Sequence, residues 1–485
     1  MAELDRFFIP QSVALIGASR TPGKIGYVML DSLKTSFKGP IYPINPQATE
    51  IAGLTVYPNV NDVIEPIDLA IIAVPAENVK PVLEDCIRKK IQAAIIISAG
   101  FGEIGNKEGE EELKRLAKGK IRLLGPNCLG TFMKGLDMLF LPKDRMKRPP
   151  EGAISFISQS GAVGSVMLDD IAFEGVGISK FVSYGNAMDI NELELLEYFS
   201  KDLGTRAIAA YLETLHDGNR FIEVCKRVVK SKPIVVLKAG KTAKGAEAVI
   251  SHTGALAGPT EVYSAAFRQA GVIEAKTTEE LFDFSKVLAT QPPLRSNKIA
   301  IITDGGGFGI LTADAAVLYG LELPEFEKST TKALQAHIPS YAIAKNPVDL
   351  TGDANAERYA GALTAVGKDP AIAGIIVIAL VQTPQLEESV VDAIRDAKMY
   401  GKPIIAVMAG SDYTYKLARR LEGFGVPVYP TPERAAKAMS ALWQYGLILK
   451  QFAPPPAPEK KAAKLIAKKA KKAAKKVAKK AKKRR

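Results

Sequence analysis

Three times along this chain a short apolar run is cut by a small-residue turn and followed by a helical pattern, and this recurrence restricts the fold more than any other feature. The first instance is Ser12-Val-Ala-Leu-Ile16, broken by Gly17-Ala-Ser-Arg20, with Val28, Leu30 and Leu33 at helical spacing after Gly26. The second is Ala153-Ile-Ser-Phe-Ile-Ser158 followed by Gln159-Ser-Gly-Ala-Val-Gly164. The third is Lys298-Ile-Ala-Ile-Ile-Thr303, then Asp304-Gly-Gly-Gly-Phe-Gly309 and a helix through Ala313 and Ala316. A strand, a tight turn and a helix start bring free backbone N–H groups and the positive end of the helix dipole to one point, where phosphate is received. Further strand candidates lie at 41–44, 68–74, 93–98 and 121–124, at 179–183, 207–212 and 233–237, and at 375–379 and 403–407. Alternation of this kind predicts an α/β fold of three doubly wound domains, at 1–148, 149–292 and 295–451, with a linker and tail at 452–485.

Composition agrees with that division. At roughly 150 residues per domain, 485 residues allow about three. The chain carries 65 Lys and Arg against 52 Asp and Glu, but 15 of the basic residues and none of the acidic ones lie in 460–485. Residues 1–459 therefore hold 50 basic and 52 acidic side chains, a net of −2, so the basic character belongs to the tail. Cys86, Cys128 and Cys225 are odd in number and far apart, which fits a reducing cytoplasm and neither a disulfide framework nor a zinc site. The start, Met-Ala-Glu-Leu-Asp-Arg, lacks the regions of a signal peptide, and the apolar runs are too short to span a membrane. A cytoplasmic protein without a membrane partner is the expectation.

The strands of the first domain end in Gly17, Asn45, Pro75, Gly100 and Gly125, which puts the ligand at the carboxyl edge of its sheet. A dinucleotide site wants G-x-G-x-x-G and an acid after the second strand to hold ribose hydroxyls. Here Gly17 is followed by Ser19, Gly23 and Gly26 are off that register, and the second strand ends in Asn45-Pro46. That disfavours NAD and suits a ligand with additional phosphate.

Of the three histidines, His216, His252 and His337, only His252 sits in a run of small residues, Ser251-His-Thr-Gly-Ala255. The run reads as a flexible loop, with Gly245 and Gly254 as its pivots. Imidazole titrates near ~6.5, so a neutral ring nitrogen can act as a nucleophile and carry a phosphoryl group between two sites. Glu213 closes the strand at 207–212, on the edge from which the next strand leads to His252. A carboxylate there could fix the histidine tautomer.

Taken in order, Gly17-Ala-Ser, Ser158-Gln-Ser-Gly-Ala-Val-Gly164, Tyr211-Leu-Glu213 and Ser251-His-Thr-Gly-Ala255 resemble the α subunit of nucleoside-diphosphate-forming acyl-CoA synthetases, and more distantly the succinyl-CoA synthetase α subunit. The resemblance covers residues 1 to about 451. It implies a Rossmann-like CoA-binding domain followed by two flavodoxin-like CoA-ligase domains. It further implies that His252 becomes the phosphohistidine, that Glu213 steadies it, and that Ser158, Ser160 and Gly161 cradle the phosphate, opposed by Gly305, Gly306 and Gly307. CoA would be held by Gly17, Ala18, Ser19, Asn45, Pro75, Ser98, Gly100 and Asn127. The implied reaction is acyl-CoA + ADP + phosphate giving acid + ATP + CoA, an acetate–CoA ligase (ADP-forming) activity. No Walker-type G-x-x-x-x-G-K-[ST] occurs and nothing resembles an ATP-grasp part. The resemblance thus implies a separate ATP-grasp β subunit, an α2β2 assembly, and Mg²⁺ arriving with ADP or ATP mainly on that partner. No metal site is expected in this chain; Asp349 in Asn346-Pro-Val-Asp-Leu350, read as a turn, is a single acid without companions. Two other readings are a dicarboxylate ligase of the succinyl-CoA synthetase kind and a non-enzymatic CoA-sensing protein.

The end of the chain follows a different rule. Pro454-Pro-Pro-Ala-Pro458 reads as a stiff linker, and 460–485 is almost wholly Lys and Ala with only Leu465, Ile466 and Val477 apolar. Such a segment cannot pack as a core helix and is expected as a solvated, disordered tail, with nucleic acid as the partner its charge would suit.

Overall fold

Val13–Ile16 (β1), Leu69–Ile72 (β3) and Ala93–Ile96 (β4) are buried at every position, as strands covered by helices on both faces must be. With Ile41–Ile44 (β2) and Arg122–Leu124 (β5) they form a parallel sheet in the order β2-β1-β3-β4-β5. The computed structural model describes residues 3–215, 217–253, 260–342 and 344–453, with backbone alone over 250–253. His216, Gly254, the side chain of His252 and the tail at 460–485 lie outside the described residues.

The next strands do not continue that sheet. Gly130–Met133 (β6) and Leu136–Asp137 (β7) form a hairpin around Lys134-Gly135, and β6 pairs antiparallel with Ile178–Ser183 (β9). Residues 130–137, placed by sequence with the first domain, therefore belong to the second sheet. Its parallel part comprises Glu151–Ser158 (β8), β9, Ala207–Leu212 (β10), Ile234–Lys238 (β11) and Ile273–Ala275 (β12). The full order is β12-β11-β10-β8-β9-β6-β7. Ile299–Thr303 (β13), Val348–Asp349 (β14), Gly374–Ile378 (β15), Ile404–Val407 (β16) and Val428–Tyr429 (β17) make the third sheet, in the order β14-β13-β15-β16-β17. The segment containing Asp349, read as a turn, thus includes a two-residue edge strand.

Within each sheet the five parallel strands follow one pattern: second, first, third, fourth, fifth. The strand order reverses between the first and third strands, and there the crossovers leave toward opposite faces and open a crevice at the carboxyl ends. The fold accordingly sets three such points, at Ile16 and Ile72, at Ser158 and Leu212, and at Thr303 and Ile378. Glycine-rich turns fall on all three. Through Ile448 the chain packs as one unit.

Candidate active site

At the first of these points Gly17 adopts φ +96°, and a Cβ there would lie 2.2 Å from the Ala73 carbonyl oxygen. Helix α1 (Ile25–Ser36) starts so close to this turn that a Cβ on Gly26 would fall 2.0 Å from the Gly17 carbonyl oxygen. Only glycine permits strand, turn and helix to meet at this distance. The Asn45 amide donates to the Ala18 carbonyl at 2.7 Å and its oxygen accepts from the Gln47 N–H at 2.7 Å, so Asn45 braces the turn. Above it opens a cleft of about 850 Å³, lined by Gly17, Ala18, Ser19, Lys24, Asn45 and Pro75 among others. Asn45 and Pro46 line the cleft where the second strand ends, and Asp85 of the helix after the third strand lines it too.

A second cleft, of about 730 Å³, shares Ile25, Ala73, Val74 and Pro75 with the first and extends past Ser98 and Asn127 to Ser160 and Gly161. Two of the three domains thus contribute to a pair of adjacent clefts with a shared wall. Ser98 is turned inward, its hydroxyl donating to the Val74 carbonyl. Asn127 sits at φ +57° with its N–H on the Ser98 carbonyl at 2.9 Å. Gly100 lines neither cleft: its N–H is taken by the Glu103 carboxylate, which also accepts from Phe101 and Asn186 and is held below the usual carboxylate range despite partial burial.

The second point carries the Ser160 turn and Glu213. Ser160 caps helix α2 (Gly161–Glu174), its hydroxyl accepting from Val163 N–H at 3.3 Å, which leaves the first-turn N–H groups of Gly161 and Ala162 at the cleft wall. Ser158 is fully buried and donates to the Ser160 carbonyl at 2.6 Å, so it shapes the turn from beneath. Gln159, which sequence reasoning passed over, joins this turn to the next strand end. Its side-chain oxygen accepts from the N–H groups of Glu213 at 2.8 Å and Thr214 at 3.0 Å, and its nitrogen donates to the Thr214 hydroxyl at 2.9 Å. Leaving such buried donors unsatisfied would cost about 1–3 kcal/mol each. Glu213 is itself buried, with the Tyr211 hydroxyl 3.4 Å from its carboxylate. The phenol is pushed well above its ordinary range by burial first and by Glu213 second.

His252 follows along the same edge. The sequence reading as a loop is corrected in part: Ala243–Thr253 is a helix (α3), with His252 in its last turn, and it packs on the 3-10 turn Gly102–Ile104 of the first domain. Ala243, Lys244, Ala246, Glu247 and Ala248 are strong helix formers, and the helix they start carries through Ser251. The helix rises from a pinched base. Thr260, which opens helix α4 (Thr260–Ala270), donates its hydroxyl to the Lys241 carbonyl, so the chain returns at 260 to the point it left at 241.

The third point differs. Gly305 precedes helix α5 (Gly306–Leu318) and the Thr303 hydroxyl closes the turn against Gly305. Asp304 is buried, and both of its oxygens lie 3.1 Å from the Leu380 N–H. Burial raises its pKa against the opposing effect of that hydrogen bond. Asp349 lies on the other side: a Cβ on Gly306 would be 3.1 Å from its carboxylate. A phosphoryl group at Gly305–Gly307 would meet the Asp349 carboxylate, and these glycines line neither cleft. Among the described residues no group of three or more His, Cys, Asp or Glu is arranged to hold a metal ion. Nor is any helix there long and apolar enough to cross a membrane.

The fold and this edge define a multidomain α/β protein of the CoA-ligase class. Family models match at 11–134 (CoA binding domain), 151–288 (succinyl-CoA ligase like flavodoxin domain) and 299–448 (ligase-CoA domain). An ADP-forming acetate–CoA ligase of Methanocaldococcus jannaschii is 44% identical over 92% of this chain, which spans 64% of that protein's length. The α subunit of ADP-forming acetate–CoA ligase I from Pyrococcus furiosus is 40% identical over 91% of this chain and 97% of its own. The structure of a dinucleotide-forming acetyl-coenzyme A synthetase from Candidatus Korarchaeum cryptofilum, in complex with phosphate and ADP, superposes with a TM-score of 0.87 at 38% identity, covering 94% of this chain and all of that one. The chain belongs to the family of ADP-forming acetate–CoA ligases.

Proposed function

We propose that this chain is the CoA-binding, histidine-bearing part of an ADP-forming acyl-CoA ligase, converting acyl-CoA, ADP and phosphate reversibly to acid, ATP and CoA. The observation that carries the reading is the pair of adjacent clefts that share the wall at Ile25, Ala73, Val74 and Pro75, one at the Gly17 turn and the other at the start of the Ser160 helix. CoA laid along them, with its nucleotide at Gly17, Ala18, Ser19 and Asn45, would bring its thioester to the N–H groups of Gly161 and Ala162. Phosphate held there by Ser160 and Gly161 attacks the thioester carbonyl, the C–S bond breaks, and CoA leaves as the thiol. A neutral His252 nitrogen then attacks phosphorus of the acyl phosphate, the P–O bond breaks, and the acid leaves as carboxylate. Glu213 orients the imidazole and offsets the positive charge it acquires. ADP takes the phosphoryl group from nitrogen and restores the histidine.

The nucleotide step needs more than this chain. About a third of the Methanocaldococcus relative's own length lies outside the match, whereas almost none of the Pyrococcus α subunit's does. An ATP-grasp β subunit with Mg²⁺ and its nucleotide, in an α2β2 assembly, would supply the missing part. The Gly305–Gly307 turn would serve as the second phosphate cradle only with a cation or the partner offsetting Asp349. A cytoplasmic setting suits three buried free thiols. With the partner present, acetyl-CoA, ADP and phosphate should yield ATP, and with either subunit alone they should not. A complex silent with acetyl, branched-chain, aryl and succinyl thioesters alike would defeat the proposal, while activity confined to succinyl-CoA would establish the dicarboxylate variant.

The basic tail supports a second property, nucleic-acid binding. Its 15 positive charges would displace counterions from phosphates, so affinity for duplex DNA should fall by about 10³-fold or more between 50 and 200 mM salt. A gel shift by the full chain, lost on deleting 460–485, is the expected result; equal binding by the truncated chain would remove this property and leave the ligase reading untouched.

A further inference from the structure

Lys238 has no part in the reading above, yet it occupies the base from which the histidine helix rises. It ends β11 directly beside the end of β10, in register with Leu212, so that it stands one strand away from Glu213. Strands in such a ladder lie about 4.8 Å apart. The residue is only 3% exposed. The ammonium lies 4.4 Å from the centroid of the Tyr263 ring on α4 and donates to the Ala239 carbonyl. Lys238 therefore touches the chain both where it enters the histidine segment and where it leaves it, with Glu213 on the neighbouring strand. Nearby Lys241 is spoken for: it pairs with Glu274 at 3.0 Å and donates to the Ala275 carbonyl at 3.2 Å.

We propose that Lys238 is a positioning residue for phosphoryl transfer, a buried cation that offsets the Glu213 carboxylate when a phosphorylated His252 is docked beside it. The inference rests on the phosphohistidine reading. A doubly charged phosphoryl group brought to a carboxylate in a poorly solvated edge is repelled, and the repulsion is large where water is scarce. A carboxylate that orients the histidine therefore needs a compensating charge once the group has moved. Lys238 supplies it from behind, without touching the reacting atoms, and its place at the base of the segment makes the docked position of α3 the one in which the charges balance.

The charge is switchable. Burial pushes the Lys238 ammonium down to about 8, with Glu213 opposing that fall and Lys241 adding to it. The other titratable group shown against it is the Tyr263 phenol, and Lys241 is itself paired with Glu274. Below pH 8 the ammonium is charged and the offset is present; above pH 8 it is lost.

The test uses the complex with its partner and acetyl phosphate labelled with ³²P as phosphoryl donor, following kcat/KM for label transfer from pH 6.5 to 9.5. The native chain should fall about tenfold per pH unit above pH 8. Lys238→Met should be slower at pH 7.5 by about 10- to 100-fold and should lack that fall. Lys238→Arg, whose guanidinium stays charged throughout, should keep the plateau and also lack the fall. A limb near pH 8 retained in either variant overturns the role of Lys238. Label equally strong in His252→Ala would instead overturn the phosphohistidine reading itself. Should Lys238→Met fail to fold, the limb of Lys238→Arg decides alone.

Discussion

Replacing His252 by alanine is expected to abolish the phosphoenzyme formed from labelled ATP, Mg²⁺ and the partner subunit, lowering incorporated label by more than about a thousandfold. The size of the effect follows from covalent chemistry: without a ring nitrogen there is no bond to phosphorus, and a methyl group has no substitute to offer. Glu213→Gln should be milder, by about 10²- to 10⁴-fold, because the amide keeps the shape but orients the tautomer poorly and no longer offsets the charge on the attacking ring. CoA affinity should be unchanged in Glu213→Gln, since Glu213 is not among the described residues lining either cleft. On the proposed mechanism it should be unchanged in His252→Ala as well, because the histidine acts only after the thioester is cleaved. Quantifying acid-labile, base-stable label in the native chain and both variants, alongside CoA binding, checks this. Label retained in His252→Ala would move the nucleophile elsewhere.

The strands that frame this chemistry could be read directly because parallel sheets bury both faces. Val13-Ala-Leu-Ile16 and Ile299–Thr303 contain no outward positions to interrupt the apolar run. The hairpin at 130–137 escaped for the opposite reason. Gly130-Thr-Phe-Met133 is short and mixed, and its partner β9 lies some fifty residues further on, so no local signal says which sheet it joins. Glu213 was legible as the residue after a strand, on the edge where ligands collect. Gln159 was not, since a glutamine between two serines reads as turn filler until its carbonyl is seen on the N–H groups of Glu213 and Thr214. Lys238 was hidden by its type: a lysine before Ala-Gly-Lys241 looks like a solvated strand end, and only the third dimension puts Tyr263 against it. A charged residue that immediately follows Ile-Val-Val-Leu on the ligand edge was the available clue. His252 itself was singled out by the small residues around it, but its helix was missed because those residues were weighed for freedom and not for helix propensity.

The second large effect should come from the first domain, where the ligand edge depends on backbone atoms approaching without side chains between them. Gly26→Ala places a Cβ 2.0 Å from the Gly17 carbonyl oxygen, a distance no rotamer can relieve because both atoms are fixed to backbone. Helix α1 must then retreat from the turn, taking Ile25 and Lys24 out of the wall they form in the cleft. Gly17→Ala adds strain of about 1–3 kcal/mol from its φ of +96°, together with a clash against the Ala73 carbonyl. Either change should weaken CoA binding by about 100-fold or more, on the view that roughly 3 kcal/mol of lost fit appears almost wholly in affinity. Phosphorylation of His252 from ATP through the partner should survive, because that half of the reaction needs no CoA. Gly218→Ala, at the start of a helix where an added Cβ meets nothing within 4 Å, is the matched control and should bind CoA as the native chain does. Isothermal titration with CoA separates these outcomes. If Gly26→Ala bound CoA normally while remaining folded, the ligand would have to lie outside the Gly17 crevice, and the route from that crevice to Ser160 would lose its first half.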